Sequence, residues 1–97
     1  MPTFDKLPEF LHDWATLTDT QKRQFMNAVA KMVADLKRGQ GFRAGLRIKG
    51  VQGNAGVFEM TWADDGRATF SYGSSPIPGE PHIIWRRVGS HDIFQQP

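Results

Sequence analysis

The sequence predicts an α+β fold, with an N-terminal antiparallel helix pair packed on one face of a small antiparallel sheet. Three observations carry this. Apolar residues recur at helical spacing as far as Leu36, and after Gly39 the period changes to two. The dipeptide Asp65-Gly66 then sits between two alternating runs as a hairpin signal. The chain has 97 residues, the length of one domain, so the helices are expected over about residues 4–38 and the sheet over about 44–94. A domain of this size buries somewhat over ~60% of its unfolded surface, which is enough for one modest core.

In the first helix Phe4, Leu7, Phe10, Leu11, Trp14 and Leu17 step by three and four and line one face. Pro8 is tolerated only in a first turn, so regular helix is expected from near Leu7. Thr18 stands three residues before Gln21, the spacing of a capping box. Phe25, Ala28, Val29, Met32, Val33 and Leu36 form the second stripe. Lys37 and Arg38 suit the carboxyl end of the helix dipole, and Gly39 suits a left-handed cap.

Four runs of alternation follow. Leu46 and Ile48 alternate with Arg47 and Lys49; Phe58, Met60 and Trp62 with Glu59 and Thr61; Phe70 and Tyr72 with Arg67, Thr69 and Ser71. A proline-rich loop over residues 73–81 delivers a fourth run, 82–88, in which Ile83 and Trp85 read as inward and His82, Ile84 and Arg86 as outward. If the apolar members pack on the helices, Arg47, Lys49, Glu59, Arg67 and Arg86 share the free face, with Arg87 at the strand end. Trp62, Trp85, Phe58 and Tyr72 are read as core rather than as a base-stacking platform.

The charge pattern agrees. No acidic residue lies between Asp35 and Glu59, a stretch that holds Lys37, Arg38, Arg43, Arg47 and Lys49. None lies between Glu80 and Asp92, which holds His82, Arg86, Arg87 and His91. Net charge is only +2, so the cationic surface is local. Such a field suits a polyanion such as nucleic acid. The bland alternative is a solvated sheet face with cross-strand ion pairs worth ~0.2–1 kcal/mol each. Four cations around the single carboxylate of Glu59 repel one another unless an anion fills the site, and stability alone gives no reason for that.

His91 follows the Arg-Arg strand and titrates near neutrality, so it can move protons. Asp92 is its neighbour in sequence, but adjacent residues on an extended segment point to opposite sides. His82 is a weaker candidate, and His12, on the polar side of the first helix, has no assigned role. The arginines nearby are expected to lower the pKa values of both His91 and Glu59. There is no cysteine, no HExxH and no paired-carboxylate motif, so no metal site and no thiolate chemistry are expected. The glycine-rich stretch 50–56 lacks the Gly-Lys-Ser/Thr of a P-loop and reads as a strand connection. No apolar run approaches ~20 residues, so no membrane span is expected.

In this order the residues resemble a known family. Leu36-Lys37-Arg38-Gly39, Leu46-Arg47-Ile48-Lys49, Gly56-Val57-Phe58-Glu59-Met60, Arg67, Tyr72 and the closing run 84–94 are similar to the RelE/ParE superfamily of bacterial toxins, in particular its RelE- and HigB-like branch. The resemblance covers nearly the whole chain and implies one RelE-like toxin domain over 1–97. It implies the toxin of a type II toxin–antitoxin module, a cytoplasmic, ribosome-associated mRNA endoribonuclease that represses translation without metal or cofactor. The implied partners are a cognate antitoxin protein, mRNA and the ribosome, with no membrane and no small-molecule cofactor. The implied catalytic residues are Glu59, Arg67, His91 and Lys49; the implied RNA-binding residues are Arg43, Arg47, Lys49, Arg86 and Arg87. Glu59 looks like the carboxylate that some members use as base, and His91 lies where members carry a catalytic His or Tyr.

Two departures stand out. Members commonly open with a strand before the first helix, and the few residues here before Leu7, led by Pro2, predict that it is missing. The terminal tyrosine of some members is absent, with Phe94 and Gln95-Gln96-Pro97 in its place. ParE-like relatives of the same fold target gyrase, and a non-catalytic nucleic-acid-binding or structural protein is the third reading. His91 and the basic face favour RNA.

Overall fold

The structure, a computed structural model, describes residues 2–97. Strand β1 (Thr3–Lys6) leads into helix α1 (Pro8–Thr16) and helix α2 (Asp19–Arg38). A 3-10 turn (Ala44–Leu46) follows, then β2 (Lys49–Gly50), β3 (Phe58–Thr61), β4 (Arg67–Tyr72), β5 (His82–Gly89) and a second 3-10 turn (His91–Gln95). The sheet order is β1-β5-β4-β3-β2.

The opening strand is present, contrary to the sequence expectation. It pairs parallel to β5 with Thr3 opposite His82 and Lys6 opposite Trp85, so the sheet is mixed rather than antiparallel. Thr3 N donates to Pro81 O and Leu7 N to Trp85 O, at 3.0 and 2.9 Å. His82 pins the strand further: its buried ring lies 2.6 Å from Thr3 Oγ1 through Nδ1 and 3.0 Å from Asp5 Oδ2 through Nε2. His82 is therefore inside, not on a free face. Phe4 belongs to this strand; its three-residue step to Leu7 imitated a helical stripe. α1 begins with Pro8 at its first turn, where the missing N–H costs nothing.

α2 is bounded as its signals predict. Thr18 and Gln21 complete a reciprocal capping box, and Gly39 closes the helix at φ 68°, ψ 21°. Phe10 of α1 and Phe25, Ala28 and Met32 of α2 pack with Met60, Ala68, Phe70, Ile83, Trp85 and Val88 of the sheet in one core. The Phe25 and Trp85 rings meet edge to face at 5.1 Å, a favoured aromatic geometry. Tyr72, expected inside, is 46% exposed, although its ring still packs on Phe58 and Phe70 and partial burial raises its phenol pKa.

The predicted strand 46–49 shrinks to Lys49–Gly50. The cause lies in α2. Asp35 sits inside its apolar stripe with a side chain 0% exposed, and a buried carboxylate must be satisfied. It accepts from Arg43 N, Nε and Nη2 and from Arg38 Nη2. Those bonds hold its pKa down at about 2, with the Arg43 side chain the main cause. They also bend the returning chain into the 3-10 turn, which Arg47 leaves in left-handed backbone at φ 50°, ψ 42°.

The β3–β4 hairpin forms where Asp65-Gly66 predicts it, but for another reason. Gly66 is not in left-handed backbone. A Cβ there would sit 2.6 Å from the Trp62 ring, so glycine is required by contact rather than by turn type.

Candidate catalytic face

Strand register builds the face. Lys49 lies opposite Glu59, Glu59 opposite Thr69, and Thr69 opposite Arg87, a row across four strands. One step along, Thr61 faces Arg67 and Arg67 faces Gly89. A bulge at Thr69/Phe70 makes Arg86 the extra residue of β5, so the row runs through Arg87 and not through Arg86 as alternation predicts.

Lys49 Nζ lies 3.9 Å from Glu59 Oε1, with the lysine 70% and the glutamate 16% exposed. A cation is thus placed beside a half-sheltered carboxylate. Thr69 is fully buried, and its Oγ1 has no hydrogen-bond partner among the described residues. The second 3-10 turn packs back on β4 and β5 and buries Ile93, so this face is not free across its width.

His91 starts that turn. Ser90 caps it by accepting from Asp92 N. His91 Nδ1 donates to Asp65 Oδ1 at 2.7 Å, joining the C-terminal turn to the β3–β4 hairpin. The pKa of His91 is therefore raised, chiefly by this hydrogen bond, and that of Asp65 is lowered by it. This corrects the expectation that nearby arginines lower His91: an accepting carboxylate in contact outweighs a guanidinium farther off. Asp92 is not the orienting group; its carboxylate lies 3.9 Å from Nε2. With Nδ1 engaged, Nε2 is the nitrogen left to exchange a proton.

The remaining predicted residues disperse. Arg67 Nη1 donates to the carbonyls of Ala63, Asp64 and Gly66, folding the side chain along the hairpin. Arg43 is engaged with Asp35. Arg47 lies on the turn outside the strands. Arg86 Nε donates to Pro97 O at 3.2 Å. Arg87 Nε donates to Asp13 Oδ2 at 2.6 Å, and its other nitrogens reach Asp13 Oδ1 and Gln96 O. Of the eight candidate residues, the structure brings Lys49 and Glu59 together, places Arg67 in the adjoining row and stations His91 at the hairpin. It does not add Arg43, Arg47 or Arg86 to that row.

Asp65 and Asp13 are functional candidates that sequence reasoning passed over. The hairpin signal located Asp65 but gave no hint of a histidine 26 residues away. Asp13 sits on the polar side of α1 among residues that ordinarily only meet solvent. Among the described residues, no group of three His, Cys, Asp or Glu side chains is placed to hold a metal ion, and no helix is long and apolar enough to cross a membrane.

No protein-family profile and no curated protein sequence matches the chain. Solved structures do. A chain of the Escherichia coli DinJ–YafQ toxin–antitoxin complex is 16% identical with a TM-score of 0.62, over 94% of this chain and 93% of that one. The RelB–RelE antitoxin–toxin complex from Methanococcus jannaschii matches at 13% identity and TM-score 0.61, over 94% of each chain. A YoeB/ParE toxin from Agrobacterium tumefaciens matches at 14% identity and TM-score 0.65, over 92% of this chain and 98% of that one. At such identities the likeness is one of architecture, and it extends over nearly the full length of every chain compared. The chain has the fold of these YafQ, RelE and YoeB/ParE toxin structures.

Proposed function

We propose that the protein is the toxin of a type II toxin–antitoxin module and acts as an endoribonuclease on mRNA at the ribosome. The observation that carries the reading is the Asp65–His91 contact. It ties an imidazole, biased toward its charged form, to the turn of the hairpin whose strand β3 carries Glu59, the partner of Lys49. Full-length likeness to chains from toxin–antitoxin complexes supports a toxin role and a protein antitoxin as partner.

The chemistry follows from the proton each group can hold. Glu59 takes the proton of a ribose 2′-hydroxyl. The O2′ electron pair forms the bond to the adjacent phosphorus, and the phosphorus–O5′ bond breaks. His91 Nε2–H gives its proton to the departing O5′, leaving a 2′,3′-cyclic phosphate and a 5′-hydroxyl. Lys49 and Arg67 stabilise charge on the phosphorane, and removing one such contact typically costs ~100–1,000-fold in rate. Asp65 is a positioning residue: it fixes the tautomer of His91 and favours imidazolium, the form an acid needs.

The test is single-turnover cleavage of mRNA on programmed ribosomes, with end-group analysis of the products. The expected result is a 2′,3′-cyclic phosphate end, with rates reduced by Glu59→Gln and His91→Gln. Cleavage that both variants perform at the wild-type rate would refute the assignment. In a parallel assay, gyrase poisoned by the protein while mRNA stays intact would replace it with the gyrase-directed reading.

A further inference from the structure

The cations that the sheet face lacks gather in another place. α2 presents Gln24, Asn27 and Lys31 to an open cleft of about 530 Å³, and Arg43, Arg47 and Arg67 line it as well. Asp64 is the acidic residue among its lining groups. The cleft lies between the helix, the first 3-10 turn and the β3–β4 hairpin. Its walls are built rather than incidental. Asp35 fixes Arg43, and the hairpin carbonyls fix Arg67, whose charge they leave uncompensated. Arg47 is held in left-handed backbone, a conformation that a non-glycine residue adopts at a cost. Lys31 Nζ and the Arg47 guanidinium are both exposed and have no partner among the described residues.

We propose that this cleft binds the phosphodiester backbone of RNA, beyond the Glu59–His91 face and adjoining it through Arg67. The proposal rests on the RNA reading above, since it says where a further stretch of the same polyanion is held. Charge and chemistry decide the ligand class. Four cations and two side-chain amides supply donors, and guanidinium forks fit phosphate oxygens in pairs. An acidic protein segment would share the charge but draws its affinity from apolar anchors. The large exposed apolar residues Phe4, Leu11, Met26, Tyr72 and Ile77 all lie outside the cleft. Phosphate contacts need no such anchors.

The experiment measures affinity of the full chain for a labelled single-stranded RNA carrying 2′-deoxy substitutions, so that cleavage does not intervene, across a salt series. The variant is Lys31→Ala/Arg47→Gly; glycine accepts the left-handed backbone at position 47, so the fold is kept. Two lost phosphate contacts lower the magnitude of the slope of log K against log salt by about 1.4, and weaken binding about 25-fold at 0.1 M salt. The control is Arg23→Ala/Lys37→Ala, two cations outside the cleft. An unchanged slope for the cleft variant, or an equal fall for the control, overturns the proposal. Retained RNA affinity with lost affinity for poly-glutamate overturns it in favour of an acidic protein segment. Failure of the nuclease reading is a different result: wild-type protein that does not cut ribosome-bound mRNA, whatever the salt slope.

Discussion

Asp13→Ala separates the two roles that Arg87 can have. Arg87 reads from sequence as an RNA contact, yet its guanidinium is turned onto Asp13 of α1. The Asp13 carboxylate accepts three bonds: Arg87 Nε at 2.6 Å, Arg87 Nη2 at 3.1 Å and Val88 N at 3.1 Å. The two side chains are only 25% and 18% exposed. Hydrogen bonds to charged groups contribute ~1.5–3 kcal/mol each when buried, and partial exposure lowers that. Removing the carboxylate also strands the Val88 N–H at the strand edge and leaves the Arg87 guanidinium with only the weaker charge interaction with Glu9. A total of ~2–3 kcal/mol is expected, which in a domain of this size lowers the melting temperature by ~10–20 °C. The assay is thermal melting by circular dichroism, paired with RNA affinity at a temperature where the variant is folded. The affinity should be unchanged or higher, because the substitution releases a cation. A variant that melts within ~2 °C of wild type refutes the clamp, since that is less than a loss of even 1 kcal/mol produces in a domain of this size. A stable variant that loses RNA affinity would instead give Asp13 a direct part in the site.

Two further outcomes follow from the same geometry. His91 should titrate above the ordinary imidazole value in an NMR pH series, and Asp65→Asn should bring it down, because the hydrogen bond to Asp65 is the chief cause of the rise. Because the folded-state pKa of His91 is raised, the contribution of the pair is present below the ordinary imidazole pKa. It fades as pH rises through the raised value, and on the acid side as pH falls through the lowered value of Asp65. The stability difference between wild type and Asp65→Asn should vanish above that window. Gly66→Ala should cost ~1–3 kcal/mol in denaturant unfolding, because its Cβ meets the Trp62 ring at 2.6 Å; a variant as stable as wild type would show that the hairpin moves aside freely.

The parts of the fold that sequence made legible are those written in local rules. The capping box at Thr18, the glycine stop at residue 39, and the inward positions Met60, Phe70, Ile83 and Trp85 each follow from spacing alone. What stayed hidden depends on partners far along the chain. Four residues, Thr3–Lys6, become a strand only because β5 offers a parallel edge and His82 reaches Asp5. Arg47, which follows Arg43, looked like part of a strand-borne cluster. A single buried acid, Asp35, draws it off the sheet instead, and one charged letter inside an apolar stripe was the available signal. The bulge beside Thr69 exchanges Arg86 for Arg87, and alternation cannot register a one-residue insertion. At the candidate site, Glu59 and Lys49 were legible because strand pairing is local. The Asp65–His91 contact was not, because it closes between two turns.

The measurement closest to the central claim is primer extension on total mRNA after brief induction of the wild-type chain and of His91→Gln and Glu59→Gln in growing cells, with DNA integrity followed in parallel. Discrete cuts within translated reading frames are expected for wild type, much weaker cuts for both variants, and intact DNA throughout. Intact mRNA in wild-type cells whose growth has stopped, or cuts undiminished in both variants, would contradict the account.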